Sequence, residues 1–354
     1  MQRIRDVIAK IKPLDAEAMR EAKERQDSLT KPRESLGVLE DLSIRVAGIK
    51  GEASPSIREK AVITMAGDHG VVEEGVSAYP MEVTRQMVRN FVGGGAGINV
   101  LARHVGSRVV VVDMGVAADI NEPHVINRKV NYGTKNMAKE PAMMRDEAIG
   151  SIEAGIEVFM EELKRGMDIV GIGDMGIGNT TASSAIVACI TGEPVRRVTG
   201  RGTGVDDSTF ERKVRVIERA LKVNRPNPKD PVDVLAKVGG FEIGGLVGVV
   251  LAGAAHRVPV VVDGFITGAS ALIATELAPQ ARDYLIAAHL SVERGHKIIL
   301  DRMGLRPLLD LEMRLGEGTG AAIGISLTEA ACKVLSEMAT FAEAKVSEAL
   351  ERRR

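Results

Sequence analysis

A series of short runs rich in β-branched and small apolar residues, each closing on glycine or an acid and each followed by a helical stretch, does most to limit how this chain can fold. They are AVITMAGDHG from Ala61, RVVVVDMG from Arg108, MDIVGIGDMG from Met167 and VPVVVDG from Val258, with YLIAAHLS from Tyr284 a weaker fifth. Near-continuous apolar strands alternating with helices predict an α/β fold: a parallel sheet with helices on both faces. Ligands in such sheets bind in the crevice at the carboxyl ends of the strands. That rule gathers Asp68, His69, Asp113, Asp174, Asp263 and His289 around one expected site.

The two ends of the chain read differently. Up to about Gly51 the sequence is polar and helical, with Leu36, Leu39, Leu42 and Val46 at helical spacing and Lys31-Pro32-Arg33 breaking it from a preceding helix. From Ser326 to Arg354 a long amphipathic helix with a charged tail is expected. The predicted organisation is therefore a small helical domain formed from both termini, residues 1–58 and 327–354, beside an α/β domain over 59–326.

The 47 Lys and Arg against 48 Asp and Glu give a net charge of −1, which argues against a sequence-independent nucleic-acid binder. With 3 Tyr, 6 Phe and no Trp, few rings are available to stack on a base. The longest uncharged apolar run, Ile243 to Ala255, is shorter than the roughly 18 residues a membrane span needs. The start, MQRIRDVIAKIKPLD, carries charges throughout and no apolar signal core. Cys189 and Cys332 are too few for a disulfide scaffold and fit core positions in a reducing compartment. A soluble, cytoplasmic protein without nucleic-acid or membrane partners is expected.

Glycine, 38 of 354 residues, exceeds the usual roughly 7%. It concentrates in GIGDMGIGNTT from Gly171, TGRGTGVDD from Thr199 and RLGEGTGAAIG from Arg314, each opening a helix. Such turns either satisfy geometry alone or present unpaired amides to an anion such as phosphate. No Gly-Lys-Ser or Gly-Lys-Thr is present, which excludes a Walker-type site. Gly171, Gly173 and Gly176 fit G-x-G-x-x-G with Glu193 near a ribose-binding position, so a nicotinamide-dependent dehydrogenase is one alternative, although Asp174 would repel a pyrophosphate there. The histidines and cysteines show no metal-ligand spacing. Glu317, between Gly316 and Gly318 and after Leu315, is either a solvated loop glutamate or a carboxylate whose apolar neighbours raise its pKa toward proton abstraction.

Several segments together resemble one family, the nicotinate-nucleotide:dimethylbenzimidazole phosphoribosyltransferases of cobalamin lower-ligand synthesis. They are TKPRESLGVLEDL from Thr30, GDHGVVEEGVSAYPMEVTRQMVRNFVGGGAGINVLAR from Gly67, GIGDMGIGNTTASSAI from Gly171, TGRGTGVDD from Thr199, VDGFITGASAL from Val262 and RLGEGTGAAIGISL from Arg314, in order along almost the whole chain. The resemblance implies a Rossmann-like sheet domain, a small helical domain from both termini, a homodimer whose neighbour helps close the site, and no metal or redox cofactor. It implies transfer of the 5-phosphoribosyl group from nicotinate mononucleotide to 5,6-dimethylbenzimidazole, with inversion at the sugar carbon. By the same resemblance Glu317 is the general base; Ser77, Gln86 and Leu315 line the base pocket; Gly176, Gly202 and Gly204 offer backbone donors to the phosphate and Lys213 a charge; and Asp174 lies near the ribose. The family usually has Glu at position 174, one methylene longer. A catalytically silent nucleotide-binding protein is the non-enzyme alternative, and it predicts that Glu317 can be removed without consequence.

Overall fold

The computed structural model describes residues 1–202 and 204–347. Its centre is a six-stranded, all-parallel sheet: β1 Lys60–Gly67, β2 Arg108–Gly115, β3 Val125–Asn127, β4 Ile169–Met175, β5 Val260–Val262 and β6 Leu285–Ala287, in the order β3-β2-β1-β4-β5-β6. This is the doubly wound order, which reverses direction between β1 and β4 and so opens a crevice beyond their carboxyl ends. The predicted strands are all present; β3, only three residues long, had no apolar run to announce it.

Because successive strand residues face opposite sides, the sheet divides its apolar residues between two cores. Ile63, Met65, Val112, Ile172 and Val262 point into one, and Val62, Ala66, Val111, Val261 and Ile286 into the other. Three helices precede the sheet: α1 Gln2–Ile8, α2 Ala16–Ser28 and α3 Val38–Lys50. Between β1 and β2 lie α4 Glu82–Gly93 and α5 Gly97–His104, and α6 Arg145–Lys164 links β3 to β4. After β4 come α7 Asn179–Thr191, α8 Val195–Val198, α9 Asp207–Asn224, α10 Pro231–Val238 and α11 Phe241–Ala255. Beyond β5 follow α12 Phe265–Leu277, then α13 Arg294–Met303, α14 Thr319–Glu337 and α15 Phe341–Ala344. Helices α6, α11 and α12 supply the first core; α4, α5 and α14 supply the second.

Part of the glycine excess is spent in the first core rather than in loops. A Cβ at Gly155 of α6 would lie 1.8 Å from the carbonyl oxygen of Gly245 in α11, so the two backbones touch where neither residue has a side chain.

The ends of the chain depart from the expected pattern. Helix α14 begins at Thr319, not Ser326, and stops at Glu337, where extended backbone at Met338 lets Thr30 N–H bond to the Ala339 carbonyl. The amino-terminal half of α14 packs on β4 and β5, its later turns on α2 and α3, so the helix runs unbroken through the 326/327 boundary. Arg25 ties α2 to the carbonyls of Leu335 and Ser336. Helix α1 packs instead on α6 and α11 of the sheet layer, and Leu36 lies in the turn before α3. The charged tail over 348–354 lies outside the described residues.

Candidate active site

Glu317 follows from the way three elements pin its backbone. Gly173 of β4 has no Cβ, and one built there would meet the Glu317 carbonyl oxygen at 2.2 Å, so only glycine lets the loop lie flat on the strand. The Thr64 hydroxyl of β1 donates to that same carbonyl at 2.9 Å. Asp263, just past β5, accepts from the N–H groups of Gly318, Gly320 and Ala321 at 3.0, 2.6 and 3.1 Å, capping α14. Held this way, Glu317 adopts φ +64°, a left-handed conformation that costs a non-glycine residue on the order of 1 kcal/mol and persists only when its surroundings enforce it. Its carboxylate accepts from Ile98 N–H at 3.1 Å at the start of α5. It is 5% exposed, and burial pushes its pKa up from the ordinary 4.5, against the pull of the Ile98 and Gly97 amides.

The carboxylate faces a cavity of about 660 Å³ at the carboxyl ends of β1, β4, β5 and β6, within the range of small-molecule sites. Val83 and Met87 of α4 and Leu315 form an apolar wall at the Glu317 end. The other end is polar, with Asn179, Thr180, Gly202, Ser291 and Glu293. Asp174 stands between, at the end of β4, accepting from Asn179 Nδ2 at 2.9 Å. Burial, then Asp263 and Glu242, push its pKa well above 3.8.

At the polar end, the start of α7 points into an adjoining cavity of about 30 Å³ lined by Ser77, Gly176, Arg201 and Lys213. Lys213 is fully buried on α9 and donates to Thr180 Oγ1 at 2.7 Å. Burial pulls its pKa down to about 8, and the Glu293 carboxylate is the neighbour that raises it. A helix start beside an ammonium is suited to hold an anion.

The structure gathers Asp174, Gly176, Gly202, Leu315 and Glu317 on the main cavity, with Ser77 and Lys213 on its small annex. Ser77 thus sits beside the ammonium rather than the apolar wall. Gln86 lies on the outer side of α4 and lines a separate cavity with Asp68 and Arg85, while its neighbour Met87 faces the main one. Gly204 is exposed, and its N–H turns back to the Arg201 carbonyl at 3.0 Å; Thr203 lies outside the described residues. Of the six residues grouped by the strand-end rule, only Asp174 and His289 line the cavity. Asp113 is paired with Lys129 at 2.8 Å, His69 is buried against Glu242 at 2.6 Å, and Asp68 bonds Ala117 N–H.

Sequence reasoning gave no role to Ser291, the last residue of the weak YLIAAHLS run, and missed Glu293, which sits past a three-residue strand with no motif to mark it. The scarcity of aromatics predicts a base pocket without rings, yet Tyr79 and Phe265 line the cavity. The dehydrogenase alternative fails on geometry. Gly171 and Gly173 lie inside β4, where they admit α14 and the Glu317 loop, and Glu193 is paired with Arg197 at the surface. Among the described residues no cluster of His, Cys, Asp and Glu is arranged to hold a metal ion.

A sequence model of a family described as phosphoribosyltransferase matches residues 11–346. The nicotinate-nucleotide--dimethylbenzimidazole phosphoribosyltransferase of Chloroflexus aggregans is 61% identical over 352 residues, 99% of this chain and 100% of that one. The protein of the same name from Desulforudis audaxviator is 60% identical over 350 residues, 99% of each chain. A crystal structure of the Thermus thermophilus nicotinate-nucleotide-dimethylbenzimidazole phosphoribosyltransferase superposes with a TM-score of 0.90 at 45% identity, covering 95% of this chain and 100% of that one. With its doubly wound sheet and its clamped Glu317 in place, the chain belongs to the nicotinate-nucleotide--dimethylbenzimidazole phosphoribosyltransferase family.

Proposed function

We propose that this chain transfers the 5-phosphoribosyl group of nicotinate mononucleotide to 5,6-dimethylbenzimidazole or a related base, in cobalamin biosynthesis. The observation that carries the reading is the buried Glu317 carboxylate, its pKa raised, beside an apolar wall in a cavity whose other end is polar and holds a buried ammonium. The base lies against Leu315 and Met87, the ribose beside Asp174, and the phosphate at the start of α7 near Lys213.

One ring nitrogen of the base attacks the sugar carbon from the face opposite nicotinate. The new carbon–nitrogen bond forms as the old one breaks, and its electron pair returns to the nicotinate nitrogen. The attacking base then carries one proton too many, and Glu317 takes it. Apolar walls raise the basicity of that carboxylate, matching it to a weakly acidic ring N–H. Positive charge developing on the sugar favours the ionised form of Asp174, countering the burial that opposes it.

Within residues 1–58 and 327–347, helices α2 and α3 and the later turns of α14 are proposed to act as a small helical domain, and the chain as a cytoplasmic homodimer. The exposure of Tyr79 (52%) and Leu315 (60%) on the cavity rim supports cover by a second copy. Among the described residues no helix is long and apolar enough to cross a membrane. Incubated with both substrates, the purified chain is expected to release nicotinate and form one new mononucleotide per turnover. Nicotinate release that needs no benzimidazole contradicts the reading.

A further inference from the structure

The polar end of the cavity already contains an anion supplied by the protein. Glu293, just before α13, is 7% exposed, and its Oε1 accepts from the Gly202 N–H at 2.8 Å. Its Oε2 has no hydrogen-bond partner among the described residues. The carboxylate lies so close over the glycine loop that a Cβ at Gly200 would meet Oε2 at 2.0 Å. A Cβ at Gly202 would lie 3.0 Å from Thr180 Oγ1 and 3.4 Å from Lys213 Nζ, so the amide that Glu293 occupies borders the ammonium and the start of α7. The loop carrying Glu293 is itself fixed, since Ser291 N–H donates to Nδ1 of the buried His296 at 2.9 Å.

We propose that Glu293 is a positioning residue whose carboxylate competes with the substrate's phosphate for the Gly202 amide. This rests on the phosphoribosyl reading above. A phosphoryl oxygen and the carboxylate cannot both accept from one N–H, and two anions beside one ammonium repel each other. Glu293 therefore holds the glycine loop against Lys213 and must swing off the amide as the phosphate seats. The carboxylate thus weakens mononucleotide binding while keeping the loop in place, and it acts on the phosphate alone. A ribose-binding carboxylate, by contrast, strengthens binding of any ribosyl ligand.

The test compares the wild type with Glu293→Gln, which keeps an oxygen for Gly202 N–H but removes the charge, and with Glu293→Ala. Dissociation constants for nicotinate mononucleotide, nicotinate riboside and inorganic phosphate are measured by calorimetry at pH 6.5, below the Lys213 value of about 8. In Glu293→Gln, mononucleotide and inorganic phosphate are expected to bind at least about threefold tighter, while the riboside shifts less than about twofold. Equal weakening of mononucleotide and riboside overturns the proposal, as does mononucleotide affinity unchanged in both variants. Wild-type protein that binds none of the ligands overturns the phosphoribosyl reading itself, a result separable from any effect of position 293.

Discussion

At the scale of single residues, the site is a set of ionisable groups moved from their ordinary pKa values by burial. Glu317 titrates above 4.5 and Lys213 at about 8, both for lack of solvent. In kcat/KM, which reports the free enzyme, Glu317 must be ionised and Lys213 charged. The expected profile rises through a limb above pH 4.5 and falls near pH 8; activity held constant from about pH 8 to about pH 10 contradicts the role of Lys213. Asp174 gives the complementary stability prediction. A buried acid whose pKa is raised above its ordinary 3.8 favours the fold fully only below that value, and its contribution is lost as pH rises toward the folded pKa. Asp174→Asn keeps an oxygen to accept from Asn179 but cannot ionise. Its unfolding free energy is expected to match the wild type near pH 4 and exceed it at pH 7, the gap widening by about 1.4 kcal/mol per pH unit until Asp174 itself ionises, with turnover reduced. A stability difference that does not grow with pH contradicts the buried-charge account. Glu317 was legible as a candidate because glycines flank it, but its left-handed backbone and the Asp263 cap were not, since both depend on residues more than fifty positions away.

At the scale of elements, glycine does two jobs. In β4 it admits the Glu317 loop, and in α6 and α11 it brings helix backbones into contact. Gly155→Ala places a methyl 1.8 Å from the Gly245 carbonyl, so the helices must separate. Overpacking of this kind costs about 1–3 kcal/mol or more. The urea midpoint is expected to fall with the slope unchanged, and an unaltered midpoint contradicts the contact. The long apolar strands were readable because burial on both faces leaves continuous β-branched runs. β3 was not, because three residues at a sheet edge carry no periodicity. The helical stretch opened by the RLGEGTGAAIG loop and the amphipathic helix expected from Ser326 are one helix, Thr319–Glu337; the sequence splits them because the first turns, TGAAIG, are too apolar to look amphipathic, being buried against the sheet. Motif alone did not say which cavity Ser77 and Gln86 face: the first lies beside Lys213, and the second faces a neighbouring cavity across α4.

At the scale of the whole molecule, the strand order places the crevice between β1 and β4, and the loops after β4, β5 and β6 converge on it. Catalysis by such a site is mainly positioning: the sugar carbon must lie between the leaving nicotinate and the incoming base, with Glu317 in reach of the base's proton. The central claim is that Glu317 takes that proton during phosphoribosyl transfer. Its most direct test is the rate of nicotinate release by wild type and Glu317→Gln, each given nicotinate mononucleotide and 5,6-dimethylbenzimidazole at saturation near neutral pH. Removal of a positioned base is expected to slow release at least about tenfold, with mononucleotide binding retained; a Glu317→Gln enzyme that turns over as fast as the wild type contradicts the account.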